Sequence, residues 1–172
     1  APKMQISNRQ QYSWHIDQKE SFRLIGKSKT FSCKNGEHCL QIPEFWSECH
    51  ARGDTAKLIS LDRGNPKGIF GLFTDFCEQR DETVYSIMVI SDQEAPPGFD
   101  EIVIPPAAWA VFDCHGKIPQ SIHHGWKYLN EEWLIKYPFK HAPCPELEWY
   151  SDGDQTSDTY KAQIWIPIIE ER

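Results

Sequence analysis

At 172 residues, with 40% hydrophobic and 25% charged residues, the chain falls in the range of one globular domain and far from disorder. A net charge of −7 argues against direct nucleic-acid binding, which needs clustered Lys and Arg. Apolar runs such as residues 86–90 and 164–169 are too short for a membrane helix of about 20 residues, so no membrane contact is expected.

Aromatics reach 13% with seven Trp, more than a core of this size needs, and a surplus of rings suits the lining of a pocket. Six cysteines (33, 39, 49, 77, 114 and 144) include no Cys-x-x-Cys pair. The densest group of soft donors, Cys33, His38, Cys39, Cys49 and His50, lacks the short chelate spacings of zinc sites. No metal and no cofactor are expected, and the thiols read as reduced and cytoplasmic. Residues 1–13 are polar and read as a linker or tail, with no basic-then-apolar leader.

In chain order, alternation around Phe22 and Leu24 predicts a strand over residues 22–31. A helix follows over 42–52, with Pro43 in its first turn, Phe45, Trp46 and Cys49 at helical spacing, and Gly53 as its stop. Strands over 68–75 and 83–91 form a hairpin through the charged segment 78–82. Residues 92–98, with Pro96, Pro97 and Gly98, form a connector, and residues 102–104 are at most a short edge strand before Pro105 and Pro106. The order then returns. A strand spans 107–115, and a helix spans 118–134 with Ile122, Trp126, Leu129 and Trp133 on one face. Strands over 146–151 and 160–168 close the chain.

Ile42-Pro43 and Ile118-Pro119 stand 76 residues apart (118 − 42), and Phe73-Thr74-Asp75 and Tyr150-Ser151-Asp152 stand 77 apart (150 − 73). These near-equal offsets predict a duplication, with halves at about 14–95 and 106–170 of a single domain. The fold class is α+β: two strand-helix-strand-strand units forming an antiparallel sheet with two main helices. Two such halves side by side leave a groove at their seam.

The strand Ala110-Val111-Phe112 through Gly116, the segment Glu132-Trp133-Leu134, the strand Pro145-x-x-Glu148-x-Tyr150 and the closing Ile164-Trp165-Ile166-Pro167-Ile168 occur in an order that resembles the GyrI-like small-molecule-binding family. That family includes effector-binding halves of AraC-type and MerR-type transcription regulators. The resemblance covers about residues 14–169. It implies a duplicated α/β domain whose central groove takes hydrophobic, often cationic compounds, with an acidic residue at the position of Glu148. Some family members hydrolyse electrophilic cyclopropane-containing compounds. The chain departs from the pattern at Trp133-Leu134-Ile135, where Trp-Leu-Pro is usual, and in the long Lys-, His- and Pro-rich segment 135–144.

On the strand 146–151, Glu146, Glu148 and Tyr150 share one face while Leu147 and Trp149 share the other. Alternation leaves open which face meets the helices. A carboxylate on the floor of an aromatic groove would neutralise a desolvated cation, and ring faces would add about 0.5–2 kcal/mol each. The expected ligand-binding residues are Glu148, Tyr150, Trp46, Phe73, Tyr85, Trp109, Trp126 and Trp165. No catalytic residue is expected unless the chain is an enzyme, in which case Glu148 would activate water. Cys114-His115 point to opposite sides of a strand, and no Gly-x-Ser-x-Gly elbow occurs. The expected role is a ligand-sensing domain of a bacterial regulator or a stand-alone relative. The expected partners are a small hydrophobic or cationic ligand, a second copy of the chain, and DNA only through a separate domain. The alternatives are a hydrolase and a module that binds a protein partner.

Overall fold

The computed structural model describes residues 12–170 apart from residue 138; most of the expected polar tail, residues 1–11, and residues 171–172 lie outside the described residues. Among the described residues, nine strands build one antiparallel sheet: β1 (Trp14–Lys19), β2 (Phe22–Ser32), β3 (Gly68–Cys77), β4 (Glu82–Ile90), β5 (Asp100–Ile104), β6 (Ala107–His115), β7 (Phe139–His141), β8 (Leu147–Ser151) and β9 (Lys161–Glu170). The spatial order is β1-β6-β9-β8-β3-β4-β2-β5, with β7 added beside β9.

This order reads symmetrically about the β8–β3 pair. Strands β9 and β4 flank that pair, β6 and β2 come next, and β1 and β5 form the edges. At the centre Gly71 lies directly opposite Glu148. The two positions are 77 apart (148 − 71), the offset already read between the halves, so the pseudo-twofold axis passes between them. The edge strands are exchanged. β1 pairs with β6 of the second half, and β5 pairs with β2 of the first.

Helices α1 (Glu37–Ala51) and α2 (Asp54–Leu61) cover the first half, and α3 (Gln120–Tyr128) covers the second. From α3 the chain continues helically through a π turn at Leu129–Trp133 and a last turn at Leu134–Lys136. Gly53 has φ +83 and ends α1 in the left-handed region, which costs an L residue and suits glycine. Three expectations need correction. Helix α1 begins at Glu37, so Pro43 lies inside it and not at its first turn. The Lys34–Gly36 turn, with Asn35 and Gly36 at positive φ, starts the helix early. Helix α2 was not expected, because its buried side is only Thr55 and Leu58, too narrow a stripe to register as periodicity. The short strands β1 and β7 were also unexpected. Both acquire strand geometry from pairing with β6 and β9 and not from strong local propensity.

The sheet is covered by three cores. Under α1 and α2, Ile25, Phe31, Phe45, Leu58, Ile87 and Val89 pack as the first half's own core. Under α3, Phe112, Ile122, Leu129, Trp133, Ile164 and Ile166 form the second half's. The shared core lies on the opposite, helix-free face, where Leu24, Phe70, Leu72, Met88, Trp109, Val111, Leu147, Trp149 and Trp165 come together. The Phe22 ring on β2 lies 6.2 Å from the Trp109 ring on β6, although four strands separate them in the sheet order, so the sheet curls strongly around this core. The curl is the physical reason the helix-free face excludes water.

Candidate ligand-binding site

The helices leave the centre of their face uncovered. α1 and α2 pack on β2, β3 and β4, and α3 packs on β6 and β9, so the β8–β3 seam forms the floor of a groove between them. Leu147 and Trp149 are buried in the shared core on the other face. Alternation therefore turns Glu148 and Tyr150 toward the groove.

Glu148 accepts two hydrogen bonds from neutral donors. Trp126 Nε1 of α3 donates to Oε2 at 2.7 Å, and Tyr150 Oη donates to Oε1 at 2.8 Å. Both carboxylate oxygens are thus oriented by side chains whose rings also build the wall. The network extends across the seam. The Trp46 ring of α1 meets Tyr150 edge-on at 5.4 Å, and Trp46 Nε1 donates to Tyr85 Oη at 3.0 Å. Phe73 then meets Tyr85 edge-on at 4.9 Å and leaves 46% of its surface exposed at the groove mouth.

Gly71 makes this arrangement possible. A Cβ there would lie 2.2 Å from Tyr85 Oη and 3.5 Å from the Trp46 ring, so only glycine lets the phenol reach the floor. The resulting open cavity is about 340 Å³ and is lined by Gly71, Leu72, Phe73, Trp126, Glu146 and Glu148, with Asn130 at its side.

The electrostatics agree with this geometry. Burial, with Glu148's charge second, pushes the Tyr85 phenol up from its ordinary value. The same two causes hold Tyr150 well above the ordinary range. Both phenols are therefore neutral at any physiological pH, Tyr150 donating to Glu148 and Tyr85 accepting from Trp46. Cys114, under α3, is pushed up to about 12 by burial and by the charges of Asp113 and Glu148. It is not a nucleophilic thiolate.

The structure thus brings together six of the expected residues: Glu148, Tyr150, Trp46, Phe73, Tyr85 and Trp126. It takes Trp109 and Trp165 away from them. Both lie on the helix-free face, 0% and 5% exposed, with their rings 5.9 Å apart. Trp165 does leave the Ile164–Ile166 row, but the row it enters is a second core. Withdrawing such a ring to meet a ligand would cost about 3–5 kcal/mol. Trp133, seven residues after Trp126, is core, whereas Trp126 reaches the groove. Sequence reasoning missed Gly71, Asn130 and Glu146. A glycine between Phe70 and Leu72, in the interior of a strand, signalled Gly71, and the shared face with Glu148 signalled Glu146; no pattern marks Asn130. Among the described residues, no three His, Cys, Asp or Glu side chains converge as metal ligands. No described helix is long and apolar enough to cross a membrane.

The sequence matches the family model of the GyrI-like small molecule binding domain over residues 13–169. Among solved structures, a Staphylococcus aureus MU50 protein assigned to bacterial transcription regulation is 25% identical, with a TM-score of 0.77 over 92% of this chain and 99% of that one. SAV2435, solved with tetraphenylphosphonium bound, is 26% identical, with a TM-score of 0.79 over 91% of this chain and 94% of that one. The EcmrR C-terminal domain shares the fold at 17% identity, with a TM-score of 0.61 over 93% of this chain and 99% of that one. No match is found among curated proteins. The chain belongs to the GyrI-like small molecule binding domain family.

Proposed function

We propose that this GyrI-like domain binds a small hydrophobic cation in the central groove, with Glu148 as its counter-charge, and serves as the ligand-sensing part of a cytoplasmic bacterial transcription regulator or as a stand-alone relative. One observation carries the reading: a carboxylate on an aromatic floor whose two described partners, Trp126 and Tyr150, are neutral donors. Those partners orient the charge without cancelling it. At an effective dielectric constant near 20, a cation about 5 Å from Glu148 gains roughly 3 kcal/mol, before the cost of its own desolvation. The rings of Trp126, Trp46, Tyr150 and Phe73 offer faces and edges for the apolar part of the ligand. The tetraphenylphosphonium bound to SAV2435 supports this ligand class, and the regulatory assignment of the Staphylococcus aureus relative supports the sensing role.

The test is a titration of tryptophan fluorescence with tetraphenylphosphonium. Saturable quenching is expected, weakened ten- to a hundredfold in Glu148→Gln. Absence of saturable binding across a panel of hydrophobic cations would reject the reading. Hydrolysis is a second reading, favoured by the Tyr150–Glu148 pair, which places a donor beside a base. Turnover of an electrophilic ligand by the wild type, lost in both Glu148→Gln and Tyr150→Phe, would establish it.

A further inference from the structure

Beside the groove a second cavity opens beneath the π turn that follows α3. Its volume is about 170 Å³, and its walls are Leu129, Trp133, Leu134, Phe139, Ile166 and Ile168. It shares Trp126, Asn130 and Glu146 with the main groove, so the two spaces adjoin, and the Trp126 indole that holds Glu148 stands on the boundary of both. The outer lip is polar. His141 Nε2 lies 3.5 Å from the Glu146 carboxylate, with Lys140 also on the wall. Two departures from regular structure create this space. The π turn at Leu129–Trp133 changes which side chains face the sheet, and β7 adds Phe139 to the edge of β9.

From this we infer that the binding site is bipartite: the groove takes the cationic centre over Glu148, and the side cavity takes a single aromatic or similarly sized apolar ring carried on a short arm of the same ligand. The inference rests on the small-molecule reading above. Volume and lining decide the class of group. An apolar cavity of about 150 Å³ lined by aliphatic and aromatic side chains holds one benzene. A cavity of about 170 Å³ with six apolar walls therefore fits one six-membered ring. Charge decides the orientation. The six apolar walls carry no charge, the ionisable Lys140, His141 and Glu146 are solvent-exposed at the lip, and Glu148 lines only the groove, so the ring enters the cavity and the cation stays behind.

The experiment compares tetramethylammonium with its benzyl, phenethyl and phenylpropyl relatives, in which one methyl is replaced by an arm ending in a phenyl ring. Dissociation constants are measured for wild type, Glu148→Gln, Leu134→Trp and Ile168→Phe. Leu134 is 48% exposed on the cavity rim, so its replacement narrows the cavity without entering the core; Ile168→Phe fills it from the sheet side. In wild type at least one arm should tighten binding tenfold or more over tetramethylammonium. In either cavity variant that gain should fall below about threefold, with tetramethylammonium affinity unchanged. Glu148→Gln should weaken the whole series by a similar factor. A gain that survives both cavity variants, or that no arm produces, overturns the side subsite and leaves the groove reading standing. Failure of every compound to bind, or indifference of all of them to Glu148→Gln, overturns both.

Discussion

Replacing Gly71 with alanine tests the architecture of the groove more directly than any ligand does. A Cβ at this position would meet Tyr85 Oη at 2.2 Å and Tyr85 Cζ at 3.1 Å. Tyr85 is 2% exposed and rigid beyond χ1, so it cannot swing aside as a lysine would. Overpacking of this kind costs about 1–3 kcal/mol. Displacing the phenol also breaks the hydrogen bond from Trp46 Nε1, worth about 1 kcal/mol. Together Gly71→Ala should lose about 2–4 kcal/mol, which lowers the melting temperature of a domain this size by roughly 5–15 °C. Tyr85→Phe removes the atom in closest contact but leaves the ring carbon, so the double variant should recover about half of the loss. Urea denaturation of wild type, both single variants and the double variant gives the coupling energy, expected at about 1–2 kcal/mol. The reasoning is refuted if Gly71→Ala alone costs less than about 0.5 kcal/mol, or if Tyr85→Phe and Gly71→Ala simply add.

Other outcomes follow from the same geometry. Trp126→Phe keeps a ring on the wall but removes one of the two donors to Glu148; a stability loss of about 1–2 kcal/mol in urea denaturation is expected, because hydrogen bonds to charged groups are the stronger kind. Cys114 is raised from 9.0 to about 12, so the unfolded chain releases this proton first. Its contribution to stability is whole below pH 9 and falls by about 1.4 kcal/mol per pH unit as pH rises toward 12, a slope that Cys114→Ala should flatten in denaturation measured from pH 8 to 10. With a thiol reagent, exposed Cys39 should react within seconds, whereas buried Cys49 and Cys114 should react only as fast as the protein opens. Arg23 donates to the carbonyls of Ser91 and Gln93 and to Glu101, tying the connector to edge strand β5. Arg23→Ala should therefore speed hydrogen exchange in Asp100–Ile104 while leaving β3 and β4 protected.

Much of this molecule is legible along the chain. The strand and helix of each half, the connector at residues 92–98 and the repeat offset follow from local periodicity and from proline, which act over a few residues. The offset agrees with the strand register at the seam, where Gly71 and Glu148, 77 apart, are cross-strand partners. The grouping of Glu146, Glu148 and Tyr150 on one face likewise needs only the two-residue period of a strand.

Orientation is what the chain alone leaves undecided. Alternation sorts β6 and β9 into two rows each, but here both rows are apolar enough to be buried, one under the helices and one inside the curled sheet. For that reason the rows containing Trp109 and Trp165 could not be told from groove walls until the curl brought β2 against β6. The roles of Trp126 and Trp133 were equally symmetric in sequence. The π turn separates them, sending one to Glu148 and the other into the core. The side cavity depends on β7, whose three residues become a strand only because the edge of β9 is there to pair with them. Local rules decided which residues travel together, and long-range pairing decided where they arrive.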